Sequence, residues 1–247
     1  MDKAKSSEPW FSFEQEYFLV DGETDKPLGW PQHGNPPTMG PPYCGVGGGK
    51  ENGREVSQAH YRACRYAGVK LSGLNGEFVD GQWEYQCGPS EGMKATDDLW
   101  VSRYILERVA ADFGLKISFD PKPLIPEVVG SGLHCNFSTQ ETRSKGGYAE
   151  IEKYVERLAA NHAEHIKVYD PLGGEENKKR LTGRFIDTVN IDKFTHGVAQ
   201  RNVSVRIPKQ TFKDKCGYLE DRRPASNADP YLVAEALVKT CVNYNVH

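Results

Sequence analysis

The chain has 247 residues, 38% of them apolar and 26% charged, and a formal net charge of −3. That make-up fits one large globular domain or two small ones and lacks the basic excess of a nonspecific nucleic-acid binder. No apolar run approaches the ~20 residues that span a bilayer, no apolar secretory core opens the chain, and the cysteines form no C-x-x-C pair, so the expectation is a cytoplasmic protein with free thiols.

In chain order, residues 1–8 are polar and read as a disordered leader. The run Trp10 to Leu19 reads as a strand. Its period of two puts Glu14 and Glu16 on one face and Phe11, Phe13 and Tyr17 on the other. A Gly/Pro-rich stretch follows from Asp21 to Gly49, a length that is usually functional. Its glycines could approach a phosphate, although no P-loop pattern is present. A helix is expected from Arg54 to Ala67, closed by Gly68. Next comes Asp80-Gly81 between alternating apolar residues, the signal for a two-residue hairpin turn. That turn pairs Phe78 with Trp83 on an apolar face and Glu77 with Glu84 on a polar one. Like charges placed opposite each other destabilise a sheet unless both are solvated or a cation lies between them.

Thr96 is expected to cap a helix carrying Leu99, Trp100, Tyr104, Ile105 and Val109, which stops at Gly114. Ile117 and Phe119 suggest a strand. The segment Leu133 to Ser138 puts His134, Asn136 and Ser138 on a polar face. A third helix is expected over Tyr148 to His165, with Ile151, Val155, Leu158 and Ala159 on one stripe. Val203, Val205 and Ile207 line one face of a further strand, leaving Ser204 and Arg206 on the other. Tyr218, Glu220 and Arg222 align on the next. Asp229-Pro230 reads as N-cap and first helical residue before Leu232, Val233, Ala236 and Leu237. Helices mixed with hairpin-like strands, without regular βαβ alternation, give an α+β fold.

Five glutamates and one histidine thus recur on polar strand faces. Hard divalent cations such as Mg²⁺ or Mn²⁺ take carboxylate oxygens and tolerate an imidazole. Taken singly, each of these residues reads more readily as a solvated surface group than as a ligand. Arg180, Arg201, Arg206 and Arg222 cluster in the second half, and arginine grips phosphate and carboxylate with a planar fork that stays charged. An acidic metal cluster facing arginines is what ATP-dependent activation of a carboxylate needs.

At these residues the chain resembles the catalytic domain of eukaryotic-type glutamine synthetase. The segments that carry the resemblance are Pro9-Trp10-Phe11-Ser12-Phe13-Glu14-Gln15-Glu16-Tyr17, Gly29-Trp30-Pro31, Tyr43-Cys44-Gly45-Val46-Gly47, Ala59-His60-Tyr61-Arg62-Ala63-Cys64 and Gln82-Trp83-Glu84-Tyr85-Gln86, then Ser118-Phe119-Asp120-Pro121-Lys122-Pro123, Arg180-Leu181-Thr182-Gly183 and Glu220-Asp221-Arg222-Arg223-Pro224. They run in the family's order from Pro9 to about Cys241. The resemblance implies a curved antiparallel sheet forming the active-site face, backed by helices, over residues 9–247.

The resemblance also implies roles. Glu16, Glu77 and Glu84 match the ligands of one divalent metal, and Glu14, His134 and Glu220 those of a second. Arg180 and Arg201 match residues that handle glutamate and the transferred phosphoryl. Arg206 and Arg222 match residues at the nucleotide phosphates and the reacting carboxylate, and Trp10 and Gly130 fall among the substrate- and nucleotide-binding positions. The implied reaction joins ammonia to glutamate at the expense of ATP through γ-glutamyl phosphate, with two Mg²⁺ or Mn²⁺ per site, in a ring homo-oligomer that engages neither membrane nor nucleic acid.

The chain departs from the family pattern in three places. The family's small N-terminal β-grasp domain is expected to be absent. The family's His-Glu-Thr flap reads Phe185-Ile186-Asp187-Thr188, so a catalytic Asp187 stands for glutamate. Val129 takes the place of an asparagine that would face substrate. These differences keep two alternatives open: a nucleotide- and metal-binding pseudoenzyme, and a glutamate ligase for a different amine.

Overall fold

A computed structural model describes residues 2–31, 33–34, 40, 42–47, 51–123, 128–185 and 188–243. A short helix, α1 (Asp2–Ser6), replaces part of the expected leader. Then come strand β1 (Trp10–Asp21), helix α2 (Arg54–Tyr66), strands β2 (Leu71–Gly76) and β3 (Gln82–Glu91), helix α3 (Lys94–Asp112), and strands β4 (Leu115–Ser118) and β5 (Leu133–Ser138). Helices α4 (Gln140–Arg143), α5 (Tyr148–Ala160), α6 (His162–Val168) and α7 (Asn177–Arg180) follow. Strands β6 (His196–Val198) and β7 (Val205–Ile207), helix α8 (Lys209–Asp214), strand β8 (Leu219–Asp221) and helix α9 (Pro230–Cys241) close the chain.

The strands form one sheet in the order β2-β3-β1-β5-β8-β7-β6, with β4 pairing β1 at its far end. Every pairing is antiparallel except β6 with β7. Strand β1 is the axis, because it pairs β3 on one edge and β5 on the other. The pleat therefore fixes what faces the helices. Phe11, Phe13, Tyr17 and Leu19 of β1, Trp83, Tyr85 and Cys87 of β3, and Leu133, Cys135 and Phe137 of β5 are all buried in the main core. Fully burying one such side chain contributes roughly 1.5–3 kcal/mol, so this face alone sets the orientation of the sheet. The opposite face carries Glu14, Glu16, Glu84 and His134.

Helix α2 ends as expected: Gly68 takes the left-handed φ of 80° that closes it. Asp229 caps α9, its side chain accepting from the Tyr231 N–H at 2.9 Å, with Pro230 at the first helical position. Three expectations are corrected. Helix α3 begins at Lys94, and Thr96 sits inside its first turn with its hydroxyl donating to the Met93 carbonyl at 2.5 Å. Its inner stripe is Leu99, Ser102, Arg103, Leu106 and Ala110, while Trp100 and Tyr104 are exposed. The single helix expected over Tyr148 to His165 is two, broken at Asn161, and Ala159 lies outside.

The third correction concerns the hairpin. Strand β2 ends at Gly76, which pairs Trp83, so Asn75 lies opposite Glu84 and Glu77 falls in the connection. Phe78 does not stack on Trp83. It stacks on Tyr43, with ring centroids 4.6 Å apart, in a second apolar cluster that also holds Phe18, Val79, Val128 and Val129. The six cysteines are all free thiols, four of them buried. Among the described residues no helix is long and apolar enough to cross a membrane.

Candidate active site

The polar face of β1, β3, β5 and β8 opens into a cleft of about 250 Å³. It is lined by Glu14, Glu16, Glu77, Glu84 and His134 together with Arg201, Arg206 and Arg222. Register brings the carboxylates together: Glu16 pairs Glu84 across β1–β3, and Glu14 pairs His134 across β1–β5. Glu77 reaches the same point from the connection after β2. Although the register differs from the expected hairpin, Glu16, Glu77 and Glu84 place one oxygen each within 4.8 Å of one another, as do the donor atoms of Glu14, Glu84 and His134.

Each acid is aimed by a neighbour. The Gly132 N–H donates to Glu16 Oε2 at 2.6 Å, Asn136 Nδ2 to Glu14 Oε1 at 2.7 Å and Asn75 Nδ2 to Glu77 Oε1 at 3.1 Å. Gln86 donates to Glu84. None of these donors is a cation. Burial, then the charges of Glu14, Glu77 and Glu16, hold the Glu84 carboxyl well above its usual range. A buried set of like charges is costly unless cations offset it. Oxygen-rich triads carrying one imidazole suit hard divalent cations, so these residues fit that class of ion.

Glu220 differs from its expected partners. It is fully buried, it receives Arg222 Nη1 at 2.7 Å on Oε1, and Arg206 pairs with its other oxygen. Its Oε1 still lies 3.5 Å from His134 Nδ1. The compact triad around His134 is therefore completed by Glu84. His134 is held well below the usual imidazole range by burial and by Arg222, Arg180 and Arg206, so its ring is neutral and can offer a lone pair.

The arginines divide into two kinds. Arg201 is exposed at the mouth, hydrogen-bonded to the Tyr43 hydroxyl and lying over the Tyr43 and Phe78 rings at 5.2 and 5.9 Å. Arg206 and Arg222 line the cleft and pair with Glu220. Arg180 is buried below it. Its Nη2 donates to the Arg222 carbonyl at 3.0 Å and lies 3.3 Å from His134 Nε2, and its Nη1 reaches the Arg223 and Pro224 carbonyls at 3.3 Å. Gly130 and Gly132 make room for it. A Cβ at Gly132 would sit 2.3 Å from Arg180 Nη2, and one at Gly130 would sit 2.8 Å from its Cγ. Gly130 thus packs beneath the cleft, and Val129 is buried in the second apolar cluster.

Trp10 stands at a second cleft of about 360 Å³, with Pro89, Asn136, Ser138, Arg143 and Tyr218. The Arg143 guanidinium lies over the Trp10 ring at 4.6 Å. Asn136 lines this cleft and donates to Glu14 of the acidic one, so the two adjoin. Asp187 lies outside the described residues, as do Gly48 and Gly49 of the glycine-rich stretch.

Sequence reasoning missed Asn75, Gln86 and Tyr43. Gln86 was within reach, since period two puts it on the face of Glu84. Tyr43 gave no periodic signal because it lies in an irregular loop.

The family model described as "Glutamine synthetase, catalytic domain" matches residues 1–167. A "Glutamine synthetase" of Emericella nidulans is 54% identical over 240 residues, covering 97% of this chain and 66% of that protein. Proteins of the same name from Rattus norvegicus and Panulirus argus are 50% and 51% identical, and 98% of this chain is covered in each case. The chain spans 64–67% of the length of these relatives. The chain belongs to the glutamine synthetase family through its catalytic domain.

Proposed function

We propose that this chain carries the site for ATP-dependent ligation of ammonia to the γ-carboxylate of glutamate, giving glutamine, in the cytoplasm and within a ring homo-oligomer. The observation that carries the reading is one cleft holding five carboxylate- and imidazole-bearing cation donors opposite three arginines. Glu16, Glu77 and Glu84 would hold one Mg²⁺ or Mn²⁺. Glu14 and His134, with Glu84 or Glu220, would hold a second. Such ions screen a triphosphate and polarise the oxygens that gain charge on phosphoryl transfer.

The chain's own residues supply the rest. Trp10, Tyr218 and Pro89 would wall a pocket for the adenine, which Arg143 also lines with its guanidinium over the Trp10 ring. Asn136 joins that pocket to the acidic cleft, so the triphosphate would run from the base toward Glu14 and Arg222. Arg222 and Arg206 face the phosphates with forks already oriented by Glu220. Arg201, at the mouth, would reach the phosphoryl as it moves to the glutamate γ-oxygen. In that step the bond from the γ-phosphorus to its bridging oxygen breaks and ADP leaves. Ammonia then attacks the acyl carbon and phosphate departs. Asp187 is assigned from the resemblance to the proton that ammonium must lose. Arg180, matched by the resemblance to a residue that handles glutamate, also holds the 222–224 backbone from below the cleft.

The test is turnover of the full chain with Mg²⁺, ATP, glutamate and ammonium. ADP and glutamine should appear one for one. Glutamate-stimulated ADP release without glutamine would show that Asp187 does not complete the second step. No release with glutamate under either metal would favour a binding role.

A further inference from the structure

The strand that carries Glu220 is three residues long, and its neighbour β7 is equally short. What holds the back of β8 therefore matters to the site on its front. Alternation turns Glu220 toward the cleft-lining Arg206 and Arg222 and Asp221 away from them, and both acids are wholly buried. Arg223 grips Asp221 along both oxygens: Nε to Oδ1 at 2.8 Å and Nη2 to Oδ2 at 2.6 Å, with its backbone N–H on Oδ1 at 3.0 Å. The guanidinium has no exposed surface and lies over the Tyr169 and Phe194 rings at 5.2 and 5.3 Å. The Tyr169 hydroxyl donates to Asp221 Oδ2 at 2.7 Å.

Two histidines complete the surroundings of this group. Arginine has no acceptor, so His162 Nδ1, 3.0 Å from Arg223 Nη1, accepts, and its Nε2–H donates to the Ile191 carbonyl at 2.7 Å. The single Tyr169 proton goes to Asp221. His165 Nδ1 lies 2.6 Å from the Tyr169 oxygen and 3.4 Å from Arg223 Nη2, and its Nε2 hydrogen-bonds with the Thr240 hydroxyl at 2.7 Å. Burial and the Arg223 charge bring the His165 ring down to about 4, so it stays neutral through the neutral range. A hydrogen-bonded chain thus links Thr240 on α9 through His165 on α6 and Tyr169 to Asp221 on β8. From the cleft side the same segment is held by Arg180 on the Arg222 carbonyl at 3.0 Å and by Asn177 Nδ2 on the Arg223 carbonyl at 2.7 Å.

We infer that Tyr169, Asp221 and Arg223 are positioning residues, which hold the back of β8 so that Glu220 and Arg222 keep their places on the front. The catalytic consequence rests on the ligase reading above, whereas the positioning claim rests on the geometry alone. These residues touch neither cleft. They act through the strand, and losing one acceptor bond to the ionised Asp221 should loosen Arg222 without removing any group that meets substrate.

The test uses Tyr169→Phe, which keeps the ring under the Arg223 guanidinium and removes only the hydroxyl, and Thr240→Val at the half-buried far end of the chain in case the first variant folds poorly. The readout is solvent exchange of the Arg222 Nε–H, which donates to the Arg201 carbonyl at 3.0 Å. Its arginine side-chain NMR signal is assigned by its loss in Arg222→Lys. Tyr169→Phe should speed this exchange about tenfold, and Thr240→Val by less, while core amides of α5 and α9 keep their protection. In turnover, kcat/KM for ATP should fall in step with the rise in Arg222 exchange. Unchanged Arg222 exchange in both variants overturns the proposal, and so does an equal rise across the core amides, which is general loosening. A wild-type protein without turnover defeats the ligase reading, and the NMR measurement still decides the positioning claim.

Discussion

Replacing Glu84 with Gln should make the metal-free protein more stable and less responsive to divalent cations. Glu84 is buried, and Glu14, Glu16 and Glu77 crowd it. Its donor oxygen lies within 4.8 Å of those of Glu16 and Glu77. At an effective dielectric constant of ~20, each like-charged pair at that distance costs about 3 kcal/mol. Proton uptake already relieves part of this cost, leaving a gain of roughly 1–3 kcal/mol for the neutral isostere. For a domain of this size that is a rise of about 2–10 °C in Tm. The amide oxygen can still accept from Gln86, so no buried donor is orphaned. In the wild type, Mn²⁺ at about a hundred times its Kd should add about 2.7 kcal/mol, and most of that should vanish in the variant. Thermal melts with and without Mn²⁺, plus calorimetry for stoichiometry, read both effects. A variant that melts lower without metal, or binds as many Mn²⁺ ions as the wild type, would refute the reasoning.

Other consequences follow from single contacts. Trp10→Ala should weaken Mg-ATP binding by roughly 1–3 kcal/mol, the worth of one base–aromatic stack, seen as a smaller ATP-induced Tm shift. Arg222→Lys should also reduce that shift, because lysine cannot keep both the Glu220 contact at 2.7 Å and the Arg201 carbonyl contact at 3.0 Å. Asp229→Ala removes the cap of α9 and should cost about 1 kcal/mol by denaturant titration. The His60 and His165 rings are both brought down to about 4 by burial. A depressed folded value means that the unfolded chain binds more protons below about 6.5. Stability should therefore be full above that pH and fall as pH drops toward 4, by up to about 3 kcal/mol per ring. Histidine NMR showing either ring charged at pH 5.5 would contradict this.

The faces of the strands were legible in the sequence because the pleat has a strict period of two. Glu14 and Glu16 against Phe13 and Tyr17, and His134 against Cys135, needed nothing beyond alternation. The register of the hairpin was not legible. Asp80-Gly81 alone favours a two-residue turn, but the Gly40 and Cys44 N–H groups bond the Phe78 and Gly76 carbonyls at 2.9 Å, and Tyr43 stacks on Phe78. Contacts from a distant loop thus end β2 early and move Glu77 off the ladder. The carboxylates still met, because Glu77 needed only to reach the cleft and not to pair with Glu84. Arg180 shows a different limit. Its burial among the carbonyls of 222–224 depends on a chain crossing that no local pattern encodes. The break at Asn161 was closer to legible, since asparagine favours helix ends over helix interiors.

The most direct measurement of the central claim is the coupled assay of the wild-type chain with ATP, Mg²⁺ or Mn²⁺, glutamate and hydroxylamine in place of ammonium. The account predicts γ-glutamyl hydroxamate and ADP in equal amounts, both lost when glutamate or metal is omitted. ADP release that ignores glutamate, or no hydroxamate with either metal at saturating ATP, would contradict it.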